Sequence, residues 1–261
     1  MTSPNKPTPY ELSVLIPVRN EGVNIKIVLK ILNAFIEVPH EVLFIYDKPG
    51  DDCIEIVKGL EDRHPNTYLV HNQAGVGVIN ALRAGVNASQ GKYILIFGAD
   101  EVGPVLAIDD MLHLMEQGCD LVSCTRYAHG GRRLGGSKIG HLLSWLGNKL
   151  FFYLFNSALS DCTTGIKMFR KSLFNEIQLE ARPVGWAVAF ELSIKAQLQN
   201  YKLGEVPIIS VDRLFGGEST FKFGPWFVEY LRWFIWGIKT ARLMSKKKPG
   251  TALVCLPNYY K

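Results

Sequence analysis

The run LSVLIPVRNEG, residues 12–22, decides the fold. Residues 12–18 are largely apolar and β-branched, which predicts a strand. Arg19-Asn20-Glu21-Gly22 then forms a polar turn, after which Ile25, Val28, Leu29, Leu32 and Phe35 recur at helical spacing. Residues 41–46 repeat the theme as a second short strand, stopped by Asp47-Lys48-Pro49-Gly50-Asp51-Asp52. Ile54, Val57 and Leu60 mark the helix that follows. This strand-helix-strand-helix rhythm implies a parallel sheet flanked by helices.

Farther along, residues 68–71 read as a third strand and residues 78–88 as a helix. Residues 93–97 form a fourth strand that runs into Gly98-Ala99-Asp100-Glu101. Gly75-Val76-Gly77 reads as a structural turn. Open parallel sheets gather ligands at the carboxyl ends of their strands, so the loops after residues 18, 46 and 97 are the candidate site. Residues 121–125 add a strand, 130–136 a glycine- and arginine-rich loop, 138–159 a helical stretch, 189–198 a helix and 204–211 a strand.

The last forty residues differ in character. Phe221, Phe223, Trp226, Phe227, Tyr230, Trp233, Phe234 and Trp236 crowd a segment that also bears Lys222, Glu229, Arg232 and Lys239, and Lys246-Lys247-Lys248 follows. Rings interleaved with charges and followed by lysines suit a helix lying at a membrane surface. Trp145, Leu150, Phe151, Phe152, Phe155 and Leu159 are expected to support the same face. The division expected is a flexible N-terminus at 1–10, a catalytic domain at 11–220 and a C-terminal aromatic, basic segment at 221–261.

Across 261 residues the formal charge is only +5, with the basic residues dispersed outside Arg132-Arg133 and the lysine cluster. That balance predicts contacts with phosphate or anionic lipid and excludes a nucleic-acid-binding surface. No run reaches the ~18 apolar residues of a spanning helix, and residues 1–9 lack the apolar core of a signal peptide. Five cysteines without metal-type spacing, Cys53, Cys119, Cys124, Cys162 and Cys255, predict a reduced protein. The expected location is the cytoplasmic face of a membrane. His113, His129 and His141 share no ligand spacing.

The strand-end loops supply Arg19, Glu21, Asp47, Asp100 and Glu101, and later segments add Arg126 and Arg213. Carboxylates and arginines are the groups that hold a nucleotide and stabilise a leaving diphosphate. Residues 13–21, SVLIPVRNE, resemble the opening strand of glycosyltransferase family 2, and Gly98-Ala99-Asp100 occupies the place of its D-x-D element. DCTTGIKMFR at 161–170 and GEVPI at 204–208, leading to VDRLFGGES at 211–219, resemble segments of polyprenyl-phosphate sugar transferases such as the dolichyl-phosphate mannosyltransferases.

The resemblance implies a GT-A fold, a mainly parallel mixed sheet flanked by helices with a C-terminal aromatic helical appendage. It implies an inverting transfer from a nucleoside diphosphate sugar to a lipid-phosphate or glycan acceptor. By the same resemblance Pro17, Arg19, Glu21, Asp47, Gly98, Ala99, Asp100 and Arg213 line the nucleotide site. Asp100, Arg126 and Arg213 serve catalysis, Arg132, Arg133, Ser137 and Lys138 meet the acceptor, and Asp100 with Glu101 faces a divalent cation, Mg2+ or Mn2+. Glu191, a lone carboxylate on an apolar helix, reads equally as the buried partner of a nearby base or as a carboxylate of the acceptor pocket, and in the second case it is the candidate proton acceptor should the acceptor be a hydroxyl.

Three positions depart from the family pattern. Tyr46 and Gly98 each stand where relatives carry an aspartate, and Val102 where they carry a polar ligand. These departures leave a non-catalytic nucleotide-sugar-binding protein as the alternative. A sugar nucleotidyltransferase is the other alternative, against which stands the lack of a G-x-G-x-R loop after the first strand.

Overall fold

In the parallel register of strands β1 (Tyr10–Val18) and β2 (His40–Tyr46), Leu12 lies beside His40 and Val18 beside Tyr46. Arg19 and Asp47 therefore leave the sheet side by side. The computed structural model describes residues 9–211, 223–244 and 250–257. Strands β3 (Thr67–His71) and β4 (Gly91–Ile96) flank this pair, also in parallel. Beyond β4 come β7 (Lys167–Arg170), β5 (Leu121–Thr125), β8 (Leu203–Pro207) and β10 (Ala252–Val254), completing an eight-stranded sheet. Strand β7 alone runs antiparallel to its neighbours β4 and β5.

Strand alternation supplies two apolar faces. Leu12, Val14, Ile16 and Val18 pack with helices α1 (Gly22–Phe35), α2 (Cys53–Lys58) and α4 (Ile108–Glu116). Leu15, Ile45, Ile94 and Ile96 face the other way, onto α3 (Val78–Ala88), α6 (Lys171–Glu176), α7 (Ala187–Leu198) and parts of α5 (Lys138–Phe155) and α8 (Phe223–Leu243). Burying a sheet on both sides is the arrangement that parallel strands require.

Three sequence expectations need correction. The strand expected over 204–211 breaks at Ile208, whose N–H donates to the Thr125 carbonyl. Pro207 before it has no N–H for the ladder. The chain then forms β9 (Ile209–Val211), which pairs in parallel with β6 (Arg132–Leu134) inside the loop expected at 130–136. The helix expected to reach residue 159 stops at Phe155, because Asn156 turns left-handed at φ 55°. Within the C-terminal aromatic segment Trp233 turns inward, is 1% exposed and belongs to the second core. Phe151, Phe155 and Leu159, expected on the outer face, are buried there as well.

Candidate active site

One half of the site is built from turns that hold each other in place. Asp51 accepts from the backbone N–H of Asn20 at 3.0 Å and of Cys53 at 3.0 Å, and Asp52 accepts from Gly22 N–H at 3.1 Å. These carboxylates tie the loop after β1 to the loop after β2. Among the described residues, Asp51, Asp52 and Cys53 form the one trio whose potential ligand atoms lie within 4.8 Å of one another. Burial, then the neighbouring Asp51, raises the Cys53 thiol far above its usual range. In this structure the trio serves as a knot between the two loops.

Next to the knot, Arg19, Asn20, Asp47, Lys48, Gly50 and Asp51 line a cavity of about 250 Å3. Asp47 is fixed by Asn72 Nδ2 at 2.7 Å and Gly77 N–H at 3.2 Å. Gly77 sits at φ 133°, and a Cβ there would meet Pro183 at 2.4 Å, so only glycine delivers this donor. Pro17 is half-buried at the end of β1, and Glu21 opens α1 with an oxygen 2.7 Å from Asn24 Nδ2. Tyr46, in place of the family's aspartate, stacks on His71 with ring centroids 4.9 Å apart.

The third loop places Gly98, Ala99, Asp100 and Glu101 at the end of the central strand β4. A Cβ on Gly98 would lie 3.1 Å from Asp100 Oδ1 and 3.1 Å from Glu101 Cγ. An aspartate at 98 would thus crowd the two carboxylates present. Glu101 accepts from Ser210 Oγ at 3.1 Å, which couples this loop to β9. A hard divalent ion is commonly held by one or two carboxylates with substrate phosphates and water completing the shell. The donor set of Asp100 and Glu101 fits such an ion.

Arg126 dominates the other half of the site. Its Nε donates to Asp161 Oδ2 at 2.7 Å and its Nη2 to Asp161 Oδ1 at 3.0 Å, the bidentate geometry that suits a planar guanidinium. Nη2 also donates to Thr163 Oγ1 at 3.2 Å. Burial opposes the charge on Arg126, but Asp161 more than offsets it and Glu101 adds to the effect. For Asp161, burial alone would raise the pKa, and Arg126 turns the net shift downward. The result is a fully charged, oriented cation near the strand ends.

A shell of buried polar groups supports that cation. Asn148 on α5 donates to Thr163 Oγ1 at 2.7 Å and accepts from Cys162 N–H at 3.0 Å. Lys167, wholly buried on β7, donates to Ser123 Oγ at 2.8 Å, and burial pulls its pKa down to about 8. Glu205 on β8 accepts from Ser160 and Asp161, and burial pushes its pKa up to about 7. Sequence reasoning gave Asp161, Asn148 and Glu205 no role. The available signals were the DCTTGIKMFR and GEVPI segments themselves for Asp161 and Glu205, and an amide in an otherwise apolar helix for Asn148.

The remaining expected residues fall in three places. Arg132 and Arg133 lie on β6, and Ser137 caps α5 by accepting Gly140 N–H at 3.3 Å. Lys138 follows at the exposed start of α5 and, with His141, Leu142 and Trp145, lines a second cavity of about 350 Å3. Arg213 lies outside the described residues. Glu191 does not face the site: it is wholly buried, and its oxygens accept from Glu180 N–H at 2.6 Å and Ala181 N–H at 2.7 Å. Lys195, one turn on, neutralises it at 2.8 Å. Its oxygens are thus engaged inside the core, away from the strand-end loops.

The sequence model of glycosyl transferase family 2 matches residues 13–178, a span that includes both halves of this site except β8 and β9. The chain belongs to glycosyl transferase family 2. Similar curated proteins include the uncharacterized glycosyltransferase YibD of Escherichia coli, 31% identical over 125 residues, 48% of this chain and 35% of that protein. The dolichol-phosphate mannosyltransferase of Pyrococcus furiosus is 26% identical over 229 residues, 85% of this chain and 62% of that protein. The putative glycosyltransferase CsbB of Bacillus subtilis is 27% identical over 163 residues, 61% of this chain and 47% of that protein. The family 2 chain thus spans less than two thirds of the length of each of these relatives.

Among solved structures, glucosyl-3-phosphoglycerate synthase from Mycobacterium tuberculosis superposes with a TM-score of 0.67 at 14% identity, over 88% of this chain and 80% of that one. That structure holds UDP, Mn2+ and glucosyl-3-phosphoglycerate, and another of the same enzyme holds Mg2+ and UDP. The shared feature is the GT-A fold of this family 2 chain.

Proposed function

We propose that the protein transfers a sugar, with inversion, from a nucleoside diphosphate sugar to a lipid-phosphate or other membrane-associated acceptor. The observation that carries this reading is the pairing of a strand-end cavity at Arg19 and Asp47 with a charged, forked Arg126. On this reading Asp47 and Arg19 hold the nucleoside, Pro17, Glu21, Gly98 and Ala99 shape its pocket, and Arg126 with Arg213 grips the diphosphate. A divalent ion at Asp100 and Glu101 would neutralise charge developing on the departing diphosphate. Family membership and the UDP complexes of a protein with the same fold support the donor class. An acceptor phosphate is already anionic, so the burial of Glu191 leaves no missing step.

The outer faces of α5 and α8 support a membrane-associated acceptor. Leu142, Leu146, Leu150, Phe227, Leu231 and Ile235 are exposed there. The charged residues of the two helices are Lys138, Lys149, Arg232, Lys239, Arg242 and Glu229, and Glu229 is buried. Every exposed charge on the pair is therefore positive, which suits anionic lipid. No helix among the described residues is long and apolar enough to cross a membrane.

A ligand that binds the native state raises the melting temperature. We expect one nucleoside diphosphate, among uridine, guanosine, adenosine and cytidine forms, to stabilise the protein, more so with Mn2+ or Mg2+. The shift should disappear in Asp47→Ala. A flat response to all four, with and without metal, would rule out the donor class.

A further inference from the structure

Arg126 takes its direction from a turn elsewhere in the chain. The fork on its guanidinium is Asp161, in the segment between α5 and β7, and Asp161 is placed by the backbone of residues 160–164. That backbone rests on Glu205. Oε1 of Glu205 accepts from Ser160 N–H at 2.8 Å and Asp161 N–H at 3.3 Å, and Oε2 accepts from Ser160 Oγ at 2.9 Å. Ser160 Oγ lies 2.6 Å from Thr125 Oγ1, the hydroxyl of the residue before Arg126, and Thr125 Oγ1 accepts from Tyr127 N–H at 3.2 Å. One carboxylate thus holds both the residue that orients the guanidinium and the strand end that carries it.

The strand itself gives Glu205 no reason to be there. Its neighbours on β8 are Leu203, Gly204, Val206 and Pro207, all buried, and it is 2% exposed. Burying a carboxylate is costly, and an apolar residue would pack without that cost. Its three hydrogen-bond donors all belong to the turn beneath Arg126, and His129 Nε2 stands 3.6 Å from Oε2. The parallel register sets Ser123 opposite Glu205 and Thr125 opposite Pro207, so the carboxylate lies directly alongside the end of β5.

We propose that Glu205 is the positioning residue for Arg126: it seats the Ser160–Asp161 turn so that Asp161 holds the guanidinium in one orientation at the end of β5. The consequence for diphosphate affinity rests on the donor reading above, whereas the positioning itself does not. The proposal separates Glu205 from an ordinary buried carboxylate such as Glu191, whose partners Glu180, Ala181 and Lys195 touch no group at the strand ends.

The test is 15N NMR of the Arg126 Nε–H, assigned by its disappearance in Arg126→Ala. In the native protein the resonance is expected to be sharp and slowly exchanging. Glu205→Ala should broaden it or return it to the free-arginine position. Glu205→Gln, whose amide oxygen keeps the two backbone bonds, should retain it. Ser160→Ala removes only the hydroxyl leg and should weaken protection partly, and it decides the matter if Glu205→Ala does not fold.

Calorimetric titration supplies the second readout, with uridine and guanosine diphosphates each set against its nucleoside. Glu205→Ala should weaken diphosphate binding about tenfold and leave the nucleoside unchanged. Arg126→Ala combined with Glu205→Ala should bind no more weakly than Arg126→Ala alone. An unaltered Arg126 resonance in a folded Glu205→Ala or Ser160→Ala protein, or additive losses in the double variant, overturns the proposal. A native protein that binds neither diphosphate sinks the donor reading instead, and the NMR comparison still decides Glu205.

Discussion

The pair formed by Arg126 and Asp161 shows how far one side chain can depend on another. Asp161 is wholly buried, so replacing it with asparagine leaves a guanidinium facing a neutral group in a largely water-free setting. Removing one partner of such a pair typically costs roughly 3–5 kcal/mol. Asp161→Asn should therefore lower the melting temperature by many degrees and abolish diphosphate-dependent stabilisation. The folded pKa of Asp161 is depressed, so its contribution is present above the unfolded carboxylate value and is lost as pH falls through the folded one. Acid denaturation should accordingly be steeper in the native protein than in Asp161→Asn.

Glu205 has the opposite sign. Its pKa rises to about 7, with burial the main cause, so the neutral form is favoured in the folded state. Relative to the unfolded chain, stability from this group is complete in acid and is lost as pH climbs toward 7. Asp161, Lys167 and the half-exposed His129, whose Nε2 lies 3.6 Å from Glu205 Oε2, are the charged or titratable neighbours. Compared with Glu205→Gln, the native protein should lose roughly 3 kcal/mol between pH 4.5 and pH 8. Melting curves at intervals across that range measure it, and parallel curves for the two proteins would contradict the assignment. Asp47 and Arg126 stand out in the sequence as candidates, Asp47 as a polar residue at a strand end and Arg126 through the family resemblance. The roles of Asp161 and Glu205 do not, because they arise from contacts 35 and 44 positions apart. Glu191 is ambiguous for the reverse reason: a lone carboxylate on an apolar helix fits a buried ion pair as well as an acceptor pocket, and its spacing to Lys195 one turn later favours the ion pair that the structure contains.

At the scale of elements, helix α8 shows what sequence periodicity conveys and what it omits. Its aromatic richness was legible, but Trp233 turns inward while Phe227, Val228, Leu231 and Ile235 remain outside. What fixes this rotation is Glu229, which accepts from Arg182 N–H at 3.0 Å, Arg232 Nη1 at 2.8 Å and Trp233 Nε1 at 3.1 Å. Trp226 adds a second lock by lying against Gly185, where a Cβ would come within 2.4 Å of its ring. Glu229→Ala removes the acceptor for three donors, one of them the buried Trp233 Nε1, at a cost of about 1–3 kcal/mol. Hydrogen exchange should then show faster opening of residues 223–243 with β1, β2 and β4 still protected. Uniform protection across the chain would mean that α8 is held by its apolar contacts alone. Short strands such as β6, β9 and β10 escape sequence reading because three residues carry no periodicity, whereas the nine residues of β1 carry it plainly.

For the whole molecule, the sheet order places the strand-end cavity, Arg126 and helix α5 on one connected structure. Helix α5 touches the arginine through Asn148 and Thr163 on its inner side and exposes leucines on its outer side. On the proposed reading, this face, whose helices hold no exposed acid and many exposed apolar side chains, would meet anionic bilayers by partial insertion plus charge attraction. Phe227, Leu231 and Ile235 are 53%, 42% and 44% exposed, so they contribute little to the folded core and can be changed without unfolding it. Replacing all three with serine should leave the melting temperature within about 2 °C and abolish flotation with vesicles containing phosphatidylserine. Binding of the native protein should weaken as salt is raised, because Lys149, Lys239 and Arg242 act through screened charge. Should the triple variant float as well as the native protein, the α5–α8 face would not be the membrane contact, and the acceptor would have to be sought in solution.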